Sequence, residues 1–298
     1  KYFRFGRNDW HAITNHVIIS SMIPRKPIHK IGLIARRNIS EKPQAAVFIK
    51  QLVKYLKDHK KEVFLDPHCA AIAKSKTHYK KDYLLKSMDM VITLGGDGTL
   101  LKTARCVSRK RVLILGVNLG NLGFLTECTP EKTFACLDKV FNDQYHIDRR
   151  SLLRITVYRD NKKAETFLAL NDAVINQGAF ARLITIDLAL NGRKVVQFKA
   201  DGMIIATPTG STAHSLSAGG PIVHPQIEGL IVTPICPSSL SMRSIIIPEN
   251  RQLTVSIETK RREDNDIIGL TIDGQDLFML KYGDQIKFRR SKRYVYLL

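Results

Sequence analysis

The sequence predicts an α/β fold in its first half joined to a half dominated by antiparallel strands. Three observations carry that expectation. Up to about Arg150, short and nearly continuous apolar runs alternate with helical patterns, the signature of a parallel sheet covered on both faces. Beyond it the apolar period falls to two. Asn191-Gly192 and Asp273-Gly274 each stand between two apolar runs, as type I′ hairpin turns do.

Taken in order, Lys30–Ala35 (KIGLIA) reads as a buried strand. Residues 45–59 set Phe48, Leu52, Tyr55 and Leu56 at helical spacing, and Glu62–Leu65 is a second strand. The run 90–94 (MVITL) leads into a glycine loop and a helical 100–107, and 111–115 (RVLIL) leads into another glycine loop. In the second half Leu153, Ile155 and Val157 alternate with polar residues, as do Ile184, Ile186, Leu188 and Leu190. The hairpins then pair that second run with 195–198, and 267–272 with 277–280. At about 150 residues per domain, 298 residues make two domains, expected at 1–150 and 151–298 and closely abutting, with the ligand cleft between them.

Hydrophobic residues are 44% of the chain and charged residues 25%, which excludes collagen-like, low-complexity and disordered classes. The longest apolar stretches, such as 17–23, fall well short of the roughly 18 residues that cross a bilayer, so no membrane role is expected. An excess of 47 Lys and Arg over 27 Asp and Glu leaves a net +20 and favours anionic ligands. Its clusters, at 74–81, 109–111, 260–262 and 289–293, are scattered as on a solvated surface, and no helix-turn-helix, zinc or aromatic-interleaved pattern marks a dedicated nucleic-acid module. Five cysteines without a CxxC pair suggest neither a disulfide framework nor a zinc site and fit a cytoplasmic location. The first forty residues hold one acid, Asp9, against eight Lys or Arg, which fits a basic leader better than a transit-peptide remnant.

Three motifs carry chemistry. In Gly95-Gly96-Asp97-Gly98-Thr99 the glycines allow backbone N–H groups to approach phosphate oxygens, and the following helix start adds a favourable partial charge. An aspartate there opposes phosphate binding unless it holds a metal or takes a proton from an attacking hydroxyl, which points to phosphoryl transfer. An Asp-Gly turn capped by Asp97 or Thr99 is the competing reading. The second motif, from Gly116 to Phe124, matches neither the dinucleotide fingerprint nor the Walker pattern. The third, Thr207 to Ser217, gathers six hydroxyl residues after a strand at 203–206, a loop suited to ribose, base edges or phosphate. Asn171-Asp172, inside the apolar run LALNDAVI, and Asp201, in FKADG, are acids that burial makes costly unless paired or ligand-facing.

GGDGTLL, GVNLGNLGFLTE, LND and DGMIIATPTGSTAHSLSAGGPIVHP, in this order, resemble the NAD kinase family over roughly Ile31 to Gln285. The resemblance implies a Rossmann-like amino-terminal domain, a β-rich, antiparallel, sandwich-like carboxy-terminal domain, and a homo-oligomer, tetramer or dimer. It implies transfer of the γ-phosphate of ATP, with Mg²⁺ or another divalent cation, to the 2′-hydroxyl of the adenosine ribose of NAD. By the same resemblance Asp97 is the catalytic aspartate, with Gly96, Gly98 and Thr99 beside it. Lys102 is a basic contact, Phe124 the aromatic near adenine, and Asn171 with Asp172 the substrate pair. Arg182 lines the substrate, Lys199 and Asp201 form the basic-x-acidic-Gly signature, and Thr212, Ala213, His214, Ser215 and Ser217 make the substrate loop, with Gln275 a late contact. His214 departs from the pattern, where a tyrosine is usual. The competing readings are a GGDGT-type diacylglycerol or sphingoid kinase, which needs an apolar slot, and a non-enzymatic nucleic-acid-binding protein.

Overall fold

The computed structural model describes residues 26–41, 43–120, 123–126, 128–177, 183–239, 241–258 and 268–298. In the first half, strand β1 (Lys30–Ala35) is followed by helix α1 (Pro43–Asp58), β2 (Glu62–Leu65), α2 (Pro67–Ala73), α3 (Lys81–Ser87), β3 (Met90–Gly95), α4 (Asp97–Ala104), β4 (Leu113–Asn118) and α5 (Pro130–Phe141). The four strands are parallel in the order β2-β1-β3-β4. Their apolar residues divide between two faces. Ile31, Leu33, Met90 and Ile92 pack under Phe48, Ile49, Leu52 and Leu56 of α1 and Leu137 of α5, whereas Ile34, Val91 and Ile114 pack under Leu84 and Leu85 of α3 and Leu100 of α4. Strand order reverses between β1 and β3, and in such sheets the carboxyl ends of the strands at that switch form a ligand crevice.

The second half continues through β5 (Asp148–Arg159), β6 (Lys162–Ala169), β7 (Asp172–Gln177), β8 (Ile184–Leu190), β9 (Arg193–Ala200) and β10 (Gly202–Ala206). A 3₁₀ turn (Thr209–Thr212) and the short helix α6 (His214–Ser217) follow, and then β11 (Gly229–Ile235), β12 (Ile245–Pro248), β13 (Leu253–Glu258), β14 (Ile268–Ile272), β15 (Asp276–Leu280) and β16 (Gln285–Leu297). Among the described residues β12-β11-β10-β7-β14-β15 form one antiparallel sheet. A core of Leu153, Ile155, Ile186, Val255, Ile286 and Phe288 on one side and Ile175, Met203, Ile205, Leu230 and Leu270 on the other makes the expected sandwich. Both hairpins form, with Asn191 (φ 50°) and Asp273 (φ 49°) in the left-handed region that type I′ turns require.

The structure moves three sequence expectations. The strand at 111–115 begins two residues later, because Leu113 N–H is the first to enter the ladder, donating to Asp89 O at 3.0 Å. The helix expected at 100–107 starts at Asp97, whose acid suits a helix amino terminus, and ends at Ala104. Asn171-Asp172 lies not inside one strand but at the break between β6 and β7, which the unbroken apolar pattern conceals. Finally, β16 runs antiparallel to β5 and β13 and also parallel to β4, through Tyr296 with Leu113 and Leu297 with Ile114, so one sheet runs from the first half into the second.

Candidate active site

Gly96, extended at φ −145°, is the N-cap of α4 and Asp97 its first residue. Thr99 N–H donates to Gly96 O at 2.8 Å, and the Thr99 hydroxyl turns back over Gly95, where a Cβ would lie 2.2 Å from it. The Asp97 carboxylate is held by the second glycine loop. Its Oδ2 accepts Phe124 N–H at 2.8 Å, and its Oδ1 accepts Leu125 N–H at 3.2 Å, Thr126 N–H at 3.0 Å and the Thr126 hydroxyl at 2.8 Å. Buried Asn118 fixes that hydroxyl with a 3.0 Å bond from Nδ2. Gly123 is what lets the loop close this far, because a Cβ there would meet Asp97 Oδ1 at 2.1 Å. With three donors on Oδ1 and one on Oδ2, it is Oδ2 that retains capacity to accept a further proton or hydrogen bond. Phe124, whose backbone N–H reaches this carboxylate, is 78% exposed.

The second wall is the break between β6 and β7. Thr207 N–H donates to Asn171 O at 2.8 Å and the Thr207 hydroxyl to Leu170 O at 2.5 Å. Gly210 lies against the same backbone, where a Cβ would be 2.2 Å from Asn171 O. Within the hydroxyl-rich loop the side chains divide by task. Buried Ser211 donates to Pro208 O at 2.7 Å and buried Ser215 bonds the Thr233 hydroxyl at 2.9 Å, so these two hold the loop. Thr212, His214 and Ser217 are exposed, and Ala213 is half-buried. Asp172 is buried and faces both the backbone N–H of His214 and the carboxylate of Asp273. Burial, then the Asp273 charge, push the Asp172 carboxyl up to about 7, against the opposing pull of the His214 N–H.

The two walls touch through Gln275. Its Nε2 donates to Gly98 O at 2.9 Å, and its Oε1 accepts from Arg105 Nη2 at 3.1 Å. Arg105 also donates to Ile272 O at 3.1 Å and pairs with Asp276 at 3.1 Å. Of the residues singled out in the sequence, the structure thus gathers Gly96, Asp97, Gly98, Thr99, Phe124, Asn171, Asp172, the 212–217 loop and Gln275 around one crevice, with Lys102 exposed on α4. Lys199 and Asp201 stand elsewhere. Asp201 precedes β10 and Thr207 follows it, a separation on the order of 20 Å along an extended strand. Arg182 lies outside the described residues. Sequence reasoning passed over Asn118, Gly123, Thr126, Arg105 and Asp273. The first three lie within or beside the second glycine motif, whereas Arg105 carries no local signal and Asp273 reads only as a turn former.

Residues 31–145 match the family model of the ATP-NAD kinase N-terminal domain, and residues 170–298 that of the ATP-NAD kinase C-terminal domain. The NAD kinase of Geotalea daltonii is 41% identical over 251 residues, 84% of this chain and 87% of that relative. That of Caldanaerobacter subterraneus subsp. tengcongensis is 40% identical over 270 residues, 90% and 93% of the two chains. Among solved structures, yeast NADH kinase complexed with NADH superposes with a TM-score of 0.82 at 25% identity, covering 92% of this chain and 84% of that one. An Archaeoglobus fulgidus NAD kinase in complex with ATP shares the fold, with a TM-score of 0.68 at 24% identity over 90% and 92% of the chains.

Proposed function

Because this chain belongs to the ATP-NAD kinase family, we propose that it transfers the γ-phosphate of ATP to the 2′-hydroxyl of the adenosine ribose of NAD, giving NADP. The observation that carries the reading is the Asp97 carboxylate. It follows a glycine loop at the carboxyl end of β3, and its Oδ2 keeps a lone pair for a hydroxyl proton. A ribose hydroxyl is a poor nucleophile at neutral pH, and a positioned base contributes on the order of 10²–10⁴-fold. Gly96, Gly98 and Thr99, at the start of α4, suit the phosphates of ATP. Asn171 and Asp172 bind hydroxyl and amine groups of the dinucleotide, Phe124 stacks on adenine, and Thr212, Ala213, His214 and Ser217 line the substrate, with Ser215 holding their loop. Lys102 and Arg182 supply positive charge.

Among the described residues no three His, Cys, Asp or Glu side chains converge to hold a metal. A divalent cation belongs to the same reading and would arrive on the ATP phosphates, as magnesium commonly does, needing at most one or two protein carboxylates. A homo-oligomer is part of the same reading. It would let Lys199 and Asp201, remote from Asp97 within one chain, serve the crevice of a neighbouring copy. Exposed Ile245 and Ile246 on edge strand β12, and Leu277 and Met279 on edge strand β15, support such an assembly. Five free thiols support a reducing, cytoplasmic setting, and among the described residues no helix is long and apolar enough to cross a membrane.

The test is an NADP-specific coupled assay on the purified protein with ATP and magnesium, offering NAD or a diacylglycerol as acceptor. NADP formation is expected. Phosphorylation of the lipid without NADP would overturn the assignment.

A further inference from the structure

One buried carboxylate has no task in the reaction described above. Asp273 heads the tight turn between β14 and β15, where the backbone asks only for tolerance of a positive φ, which asparagine offers equally. Its side chain goes further. Oδ2 accepts Leu170 N–H at 3.0 Å, and Oδ1 accepts Asn171 N–H at 2.8 Å and Asp172 N–H at 3.1 Å. Its own N–H donates to Asp172 O at 3.0 Å. Three consecutive amides, Leu170 and Asn171 between β6 and β7 and Asp172 at the head of β7, are therefore satisfied by one side chain about a hundred residues later in the sequence. The same turn carries Gln275, which reaches Gly98 O, and Arg105 braces it through Ile272 O.

We propose that Asp273 is a positioning residue for the dinucleotide, setting the backbone that presents Asn171 and Asp172 and tying that backbone to Gly98 of the phosphate loop. This rests on the NAD kinase reading above. The charges agree with the geometry. Two facing carboxylates are buried, and burial pushes both upward. On Asp273 the three N–H donors and the Arg105 guanidinium oppose that rise, whereas on Asp172 the Asp273 charge adds to it. The groups facing Asp172 are Asp273 from the β14–β15 turn and the His214 N–H from α6, and Arg105, the C-cap of α4, faces Asp273. Removing the Asp273 charge therefore lowers the pH at which Asp172 ionises.

The experiment is calorimetric titration of NAD and of ATP with magnesium, across pH 5.5 to 8, on the full chain and on Asp273→Asn. The amide keeps size and turn tolerance but turns an NH₂ toward an N–H donor and removes the charge. NAD affinity is expected to fall about tenfold or more, with ATP affinity changed less than twofold. The inflection in NAD affinity, near the value of about 7 set by Asp172, is expected to move to lower pH. An unchanged NAD affinity and inflection, or an equal loss for both ligands as partial unfolding would give, overturns the proposal. Should Asp273→Asn not fold, amide NMR of the wild type decides: the Leu170, Asn171 and Asp172 amide protons should move together on adding NAD and stay in place with ATP, and no response to NAD overturns the proposal. Failure of the kinase reading would show separately, as wild-type protein forming no NADP.

Discussion

At the level of single residues, a carboxyl group kept out of water is a cost that function has to justify, and Asp172 shows where that cost falls on the pH scale. Its carboxyl is raised by burial, and then by Asp273, from an ordinary value just below 4 to about 7 in the fold. A group raised on folding lends its stability fully below the unfolded value and loses it as pH rises through the folded one. At roughly 1.4 kcal/mol per pH unit, the loss between pH 4 and 7 amounts to a few kcal/mol. Asp172→Asn is accordingly expected to raise the thermal midpoint above that of the wild type at pH 8, with the difference fading toward pH 4, and to weaken NAD binding about tenfold. Melting curves at pH 4.5 and 8 check this, and a lower midpoint for the variant at pH 8 would count against it. The same residue shows what the sequence concealed. A polar pair amid apolar neighbours made Asn171-Asp172 a candidate site in the sequence, but the carboxylate that holds its backbone, Asp273, reads locally as nothing more than a hairpin residue.

Among the elements, the loop from Gly123 to Thr126 is the one whose shape the chemistry depends on. Four of its donors fix the Asp97 carboxylate, and closure of this kind leaves no room for a side chain at Gly123, 2.1 Å from Oδ1 at the Cβ position. Gly123→Ala must push the loop or the carboxylate aside. It is expected to lower kcat about a hundredfold while NAD and ATP affinities stay within a few-fold, since a misplaced base costs rate before it costs binding. Steady-state kinetics beside equilibrium titration measure both, and an unchanged kcat would show that the loop does not position Asp97. The parallel strands and both hairpins were readable because period and turn chemistry are local signals. Loop closure is not local, since the Asp97 contacts span 27 to 29 residues and those of Asp273 span 101 to 103. The second glycine motif, weak as a phosphate fingerprint, proves to be the cradle of the first motif's aspartate.

For the whole molecule, what matters is that the halves are not merely adjacent. Strand β16 joins the parallel strands of the first half to the antiparallel ladder of the second, and the Gly98–Gln275–Arg105 contacts tie the start and end of α4 to the turn between β14 and β15. No pattern in the sequence announces that the last strand returns to β4, because a strand's partner across a sheet is decided by packing and not by its own composition. On the proposed reading, a base from the first half would meet in the crevice a substrate held by the second. The measurement that bears most directly on this is single-turnover NADP formation by Asp97→Asn beside its equilibrium affinity for NAD. The carboxamide should hold NAD within a few-fold of the wild type and lose on the order of 10²–10⁴ in the rate of phosphoryl transfer; transfer within a few-fold of the wild-type rate would contradict the role of Asp97 and with it the account of the site.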